Sequence, residues 1–587
     1  MPIATGTALV LLTWAAVVAG VMVIGLPLAA LTHTGPISVR DARRALWWGL
    51  PVFACIAMLM ANVVPLGSPP AGAMVIGIVA VGLIASWALI RRRGWVGSCR
   101  MNSGTAAVAV LSGAVIAYLA LAALGPVTNF DSGLYHLSAI GLAQEFVAIP
   151  GLANLHAPLG YANASFPMAA VLGATPWGPE SYRLLNGLII ALVLIDLVIR
   201  WLDRRVGAGS YGLLAGAVVL VIPMVALSDY WVTSPSQDAA VFAVTVAVSA
   251  LVMQSVADPR QRIPEIAAAA AGSIALVLLR PTMITFALAV VAVAIVLMLR
   301  SRATARGWLR AAGLVGALGL LGALAQTLRD YTLSGWLVYP LSLLPFDVPW
   351  RATDPVYLRT ATLGYHRDAD DLWQAAAGWG WVGPWMSRLP QQWEFWLLVL
   401  LVAGCVGALL MALRGGATLR TRAMLVAMAP SAVMVAVWWV VTPPSFRFAW
   451  GPVFTLATVP LGWMVWRSVL GRSARQRGVW ATSIAWLAVV PVAMVVGFSL
   501  VARLEWDSMT SSREWRAGVT IPYAVSPALV PMTNAVELED GLRVQVPVDG
   551  SACWAAPLPC TSELDGRIRL IDASQGLPGG LAVSPAE

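Results

Sequence analysis

Fourteen apolar windows along this chain reach the roughly 20 residues that a helix needs to cross about 30 Å of hydrocarbon. They lie near 8–31, 46–65, 72–90, 104–124, 184–201, 210–228, 238–256, 265–280, 282–299, 308–326, 393–413, 423–441, 450–468 and 480–500. With bilayer as solvent, every backbone polar group must be bonded inside its own segment, so the windows predict helices. Composition agrees: 59% of residues are hydrophobic and only 11% charged, where a soluble domain carries about 25% charge. The run from Ala8 to Leu31 follows no basic residue and is too long for the core of a signal peptide, so it is expected to be the first span. No internal repeat points to a two-fold transporter.

The net charge of +9 does not mark a nucleic-acid binder. All 37 basic residues are arginine, and 23 of them sit in seven clusters that fall in alternate connections between windows. The clusters include Arg40/Arg43/Arg44, Arg91/Arg92/Arg93, Arg260/Arg262 and Arg300/Arg302. Arginine beside a span resists translocation, so these connections are expected to be cytoplasmic and both termini extracytoplasmic. Three long segments then lie outside: about 125–183, about 327–392 and the tail 501–587. The predicted organisation is an all-α polytopic membrane domain over 1–500 and a small extracytoplasmic α/β or β-rich domain over 501–587.

Cys553 and Cys560 fall in the polar tail as Cys-Trp-Ala-Ala-Pro-Leu-Pro-Cys, whereas Cys55, Cys99 and Cys405 lie in or beside spans. The pair reads as a disulfide in an oxidising compartment, with two unpaired thiols as the alternative. Alternation in 542–548 and 567–571 predicts short strands.

The first outer segment begins Gly125-Pro-Val-Thr-Asn-Phe-Asp131-Ser-Gly-Leu-Tyr135-His136, a carboxylate close to the hydrocarbon edge. Two readings compete. Asp131 is a general base that takes a proton from a hydroxyl, with Tyr135 or His136 orienting it or touching a phosphate leaving group. Alternatively, it caps the following helix. Two of the four histidines, His136 and His156, share this segment, which favours chemistry. The stretch Leu137–Phe146 has helical periodicity but is too short to span, so it is expected to lie along the interface.

Further along, Asp229 and Asp238 bracket a Ser/Pro-rich turn, and Asp238 also suits the first turn of a helix. Arg280 interrupts an apolar run before Pro281, where a charge normally faces a cavity or a partner; it is read as able to hold a lipid phosphate, with snorkelling as the alternative. Segment 327–392 offers Arg329, His366, Arg367 and the acids Asp368, Asp370 and Asp371, interleaved with tryptophans that suit a headgroup belt. Arg447, between Phe446 and Phe448, presents planar donors suited to phosphate. Nucleotide-binding fingerprints and metal-ligand spacings are lacking.

The segments Asp131-Ser-Gly-Leu-Tyr-His136, Pro150-Gly-Leu-Ala-Asn-Leu-His156, Leu333-Ser-Gly-Trp-Leu-Val-Tyr-Pro340, Phe346-Asp-Val-Pro-Trp350 and Cys553–Thr561 resemble a family of bacterial polytopic membrane proteins. That family in turn is similar to the GT-C superfamily, membrane glycosyltransferases whose donors are sugars on polyprenyl phosphate or diphosphate. The resemblance implies a GT-C-like fold in the bacterial plasma membrane, with Asp131 at the position of the usual first-loop carboxylate. The chain departs from the superfamily in having one acid there rather than a pair, and Ser445 where an acid would precede Arg447. No cofactor is implied; the resemblance leaves room for a divalent metal without supporting one.

The expected function is transfer of a sugar from a polyprenyl-linked donor to an envelope glycan, lipid or protein, with Asp131 as base and His136 assisting. Tyr135, His156, Asp238, Arg280, Arg329, His366 and Arg447 are the expected substrate contacts; membrane lipid is a partner and nucleic acid is not. Two alternatives remain: a transporter or flippase, for which Asp196 is the intramembrane candidate, and a polysaccharide polymerase or ligase centred on His366 and Arg367.

Overall fold

A computed structural model describes residues 2–97, 99, 101–203, 206–226, 231–301, 305–353, 355–414, 419–442, 444–470, 483, 493, 497, 510–514, 520–526 and 528–584. The protein is mostly helical, and eleven of its described helices are long and apolar enough to cross a membrane. These coincide with eleven of the fourteen expected windows. Two more windows coincide with the helices Ala208–Ala226 and Trp450–Leu470, which are not among the eleven. The fourteenth, 480–500, lies outside the described residues apart from three positions, as does Asp229.

In chain order the helices used below are α1 (Pro2–Leu31), α2 (Val39–Met60), α3 (Pro69–Arg93), α4 (Ser103–Ala122), α5 (Leu137–Glu145), α6 (Ser165–Val171), α7 (Leu185–Leu202), α8 (Ala208–Ala226), α9 (Gln237–Ala257), α10 (Arg262–Leu279), α11 (Ile284–Leu299) and α12 (Ala305–Ser334). They are followed by α13 (Pro355–Arg367), α14 (Leu372–Ala377), α15 (Val382–Arg388), α16 (Trp393–Arg414), α17 (Leu419–Val441) and α18 (Trp450–Leu470).

The core forms around α9, which packs against α7, α8, α10, α17 and α18. Its sequence, rich in Ala, Val and Ser, lets neighbouring backbones come close, the main route to helix association where lipid is as apolar as the side chains. The same logic acts where α1 crosses α2: a Cβ on Gly25 would lie 1.9 Å from the Ala45 carbonyl oxygen, and one on Gly49 1.9 Å from that of Val21. By contrast α3 and α16 are largely exposed along their apolar lengths, as a lipid-facing helix should be.

One end of the bundle gathers a buried ionic network. Asp196 on α7 accepts hydrogen bonds from Arg200 Nε at 2.8 Å and Trp47 Nε1 at 2.7 Å. Glu265 on α10 accepts from Arg43 and from Arg44 Nη2, the latter at 2.7 Å, and Arg44 Nη1 reaches Asp41 at 3.0 Å. These are the arginine clusters of the sequence folded inward onto carboxylates.

The connection after α4 is not an interfacial strap. Its helix α5 is mostly buried and packs on α6. Among the described residues the tail forms three antiparallel strand pairs, β1 (Thr510–Glu514) with β2 (Thr520–Ala524), β3 (Thr533–Glu537) with β4 (Arg543–Pro547), and β5 (Ile568–Leu570) with β6 (Leu581–Val583). Cys553 and Cys560 are disulfide-bonded, with Cα atoms 6.0 Å apart. The tail is seated on the helical region: Leu581 N–H donates to Pro150 O and Ser526 N–H to Leu124 O, both at 2.8 Å.

Candidate functional site

At the opposite end of α9 from the ionic network, three connections converge. Between α4 and α5, residues Ser132–His136 form a π-helical turn in which Leu137 N–H reaches the Ser132 carbonyl. Such widened turns recur at functional sites. Asp131 opens this turn, yet its side chain makes no capping hydrogen bond. It accepts one from Arg447 Nη1 at 2.8 Å, and each side chain of this pair is 24% exposed. The capping alternative therefore fails, and the carboxylate faces a guanidinium 316 residues away in sequence.

The turn is locked from beneath. Ser132 Oγ lies 2.8 Å from Ser234 Oγ and 3.3 Å from His136 Nδ1. Asn186 on α7 donates Nδ2 to the carbonyls of Trp231, Ser234 and Ser236 at 2.7 to 2.9 Å, which fixes the Ser/Pro turn leading into α9. Asp238, in the first turn of α9, is buried and ion-paired with Arg280. Arg280 also donates Nη1 to the backbone carbonyls of Phe448 at 3.2 Å and Arg447 at 3.4 Å. It neither snorkels nor stands free for a phosphate; it holds the turn that carries Arg447.

Aromatic rings line the cluster. The Phe448 ring lies beneath both guanidinium groups, 5.2 Å from Arg280 and 4.9 Å from Arg447, and meets the edge of His366 at 5.0 Å. A ring face between two cations attracts both. On the other side Tyr135 contacts His136 at 4.4 Å and both Tyr161 and Phe166 at 6.0 Å. Tyr161 and Phe448 had no distinguishing spacing in the sequence.

Electrostatics follow from burial. The imidazoles of His136 and His366 are pushed down to about 4, mainly because desolvation disfavours their charged form, so both are neutral near pH 7. Burial and the charge of Asp131 hold the phenols of Tyr135 and Tyr161 above their ordinary range. Burial pulls Arg447 down, but Asp238 and Asp131 more than offset it and the guanidinium stays firmly charged. The cluster thus combines one accessible carboxylate, one accessible fixed cation and neutral ring donors.

Of the expected residues, the fold brings Asp131, Tyr135, His136, Asp238, Arg280, His366 and Arg447 together. Arg329 and His156 make no described contact with them. Arg329 is buried near the end of α12, and His156 begins a short turn at Ala157–Gly160 with Nε2 buried. Arg367 turns away to the carbonyls of Ala375, Ala376 and Val440. Asp370 and Asp371 are exposed, and Asp371 caps α14. Among the described residues, no group of three or more His, Cys, Asp and Glu could hold a metal ion.

The disulfide loop belongs to this site more closely than its place in the sequence indicates. Trp554, with φ at +44°, donates its backbone N–H to Gly133 O at 2.8 Å. A Cβ on Gly133 would lie 2.4 Å from the Trp554 ring, so only glycine lets the indole seat on the turn. Leu558 packs against Gly141 in the same way. The tail therefore packs directly on the turn that carries Asp131.

No curated protein and no solved structure matches the chain. A family described as a domain of unknown function, DUF8201, matches residues 8–454. This stretch contains Asp131, Asp238, Arg280, His366 and Arg447 but not the disulfide loop. Since the match covers more than half of the sequence, the chain is a member of the DUF8201 family.

Proposed function

We propose that this multi-pass membrane protein is a glycosyltransferase that moves a sugar from a polyprenyl phosphate or diphosphate to an envelope acceptor on the extracytoplasmic side. The observation that carries the reading is the partly exposed Asp131–Arg447 pair at the arginine-poor end of the bundle, buttressed by Asp238 and Arg280. Resemblance of the segment Asp131–His136 to the first loop of GT-C enzymes supports it as well.

In this reading the donor phosphate approaches Arg447 from the bilayer and displaces it in part from Asp131. An acceptor hydroxyl oxygen attacks the anomeric carbon, Asp131 takes its proton, and the carbon–oxygen bond to phosphate breaks. Arg447 compensates the charge that develops on the leaving phosphate, and its position is fixed in advance by Arg280. His136 and His366, neutral at pH 7, orient hydroxyls rather than add charge.

Purified protein in detergent is to be given polyprenyl-phosphate hexose or pentose and a short glycan acceptor. Asp131→Asn is expected to lower transfer by about 10² to 10⁴-fold with the melting temperature kept. Near-normal turnover in that variant would reject the assigned base. Absence of transfer by the wild type, with movement of the lipid-linked sugar only in sealed vesicles, would favour a flippase. A greater loss in His366→Ala than in Asp131→Asn would favour a polymerase or ligase.

A further inference from the structure

A groove of about 830 Å³ runs between α11 and α17 on a side of the bundle that the transferase reading does not use. Its walls are aliphatic, including Leu288, Val296 and Leu425, and Leu288 and Leu425 are each more than half exposed. At one end stand three arginines, Arg262, Arg300 and Arg422, and among the described residues no acidic side chain lines the groove. Arg262 makes only a long hydrogen bond to Ser255 O, at 3.5 Å. Among the described residues, Arg300 and Arg422 have no ion-pair partner.

This differs from the buried network at the same end, where Arg43, Arg44 and Arg200 are matched by Glu265, Asp41 and Asp196. Three guanidinium groups left open beside a lipid-facing apolar channel call for an anion that carries a hydrocarbon chain. From Arg300 back to Thr285 the groove follows about 22 Å of helix, more than the roughly 15 Å of one leaflet's hydrocarbon. A chain anchored at the arginines can therefore lie lengthwise in it. A packed helix from another protein would cover Leu288 and Leu425 yet leave the cations unmatched.

We propose that this groove is a binding site for an anionic glycerophospholipid, its phosphate held by Arg262, Arg300 and Arg422 and one acyl chain laid between α11 and α17. The proposal is independent of the transferase reading, since it uses neither Asp131 nor any group around it.

Native mass spectrometry of the full chain, titrated in detergent with dioleoyl phosphatidylglycerol or dioleoyl phosphatidylcholine, tests it. The wild type is expected to retain the glycerol lipid on the order of a hundredfold more tightly, as three nearby arginines at about 1 kcal/mol each would give. The triple variant R262Q/R300Q/R422Q should weaken that binding on the order of a hundredfold and leave the choline lipid unchanged. Ala292→Trp fills the groove without altering charge and should also abolish retention, which keeps the test decisive if the triple variant does not fold. R91Q/R92Q, on α3 and outside the groove, should bind as the wild type does. Equal affinity for the two lipids, a triple variant that binds normally, or full retention in Ala292→Trp would each overturn the proposal. So would a lipid-free dimer that Ala292→Trp splits, since a second copy would then occupy the face.

Discussion

The two ends of α9 both carry buried or half-buried charge, and they treat it in opposite ways. At the Asp196 end, carboxylates and guanidinium groups interlock, and Asp196, Glu265, Arg43, Arg44 and Arg200 are all buried. At the Asp131 end, the supporting pair Asp238–Arg280 is buried, while Asp131 and Arg447 are each 24% exposed and lie beside Tyr135, Phe448 and neutral His366. The first arrangement fastens helices together. The second leaves a carboxylate and a cation side by side where a ligand can reach them, and it is this asymmetry, rather than the number of charges, that separates a structural cluster from a candidate site.

Removing Asp196 should give the largest effect. Asp196→Ala strands Arg200, Arg43 and the Trp47 indole N–H, and breaking a buried pair in this way costs about 3 to 5 kcal/mol. Loss of folded protein in size-exclusion profiles is expected; a normal melting temperature would show that the inner network is slack. Acid comes next. Between pH 6.5 and about 4 the unfolded chain binds a proton on His136 that the folded chain refuses, so stability is complete above pH 6.5 and falls as pH drops toward 4. The slope is about 1.4 kcal/mol per pH unit for this one buried residue, and melting curves of His136→Gln should be flatter over the same range than those of the wild type.

Gly133→Ala places a Cβ inside the Trp554 ring and should cost about 1 to 3 kcal/mol, with a shift in tryptophan fluorescence as the loop lifts from the turn. An unchanged spectrum would mean that the loop does not seat there. The smallest change is expected from Asp131→Asn, where a partly exposed pair contributes about 1 kcal/mol or less. Stability of this variant equal to wild type, together with lost transfer, sharpens the contrast between the two ends; destabilisation like that of Asp196→Ala would erase it.

The helical spans were legible because hydrophobic runs of spanning length are a local property, needing no knowledge of neighbours. The strands near 543–547 and 568–570 and the Cys553–Cys560 pair were legible for the same reason. Asp131 was singled out by its place at the end of a span. The partner of Arg280 is not legible in the sequence, because a charge beside a proline reads alike whether it faces lipid phosphate or, as here, an aspartate 42 positions earlier. Arg329 and His156 were grouped with Asp131 on residue type alone, and the fold directs them elsewhere.

Taken by itself, the sequence determined that the chain has the long apolar helices of a multi-pass membrane protein, roughly where they lie along the chain, and that its arginines are segregated into alternate connections. Each of these follows from the cost of exposing backbone or charge to hydrocarbon, which is settled residue by residue. Only the tertiary structure decided which arginine meets which carboxylate, that Trp554 rests on Gly133, and that Arg262, Arg300 and Arg422 border one apolar groove. Those pairings join residues hundreds of positions apart, and they depend on how helices of similar polarity pack side by side, which no local pattern records.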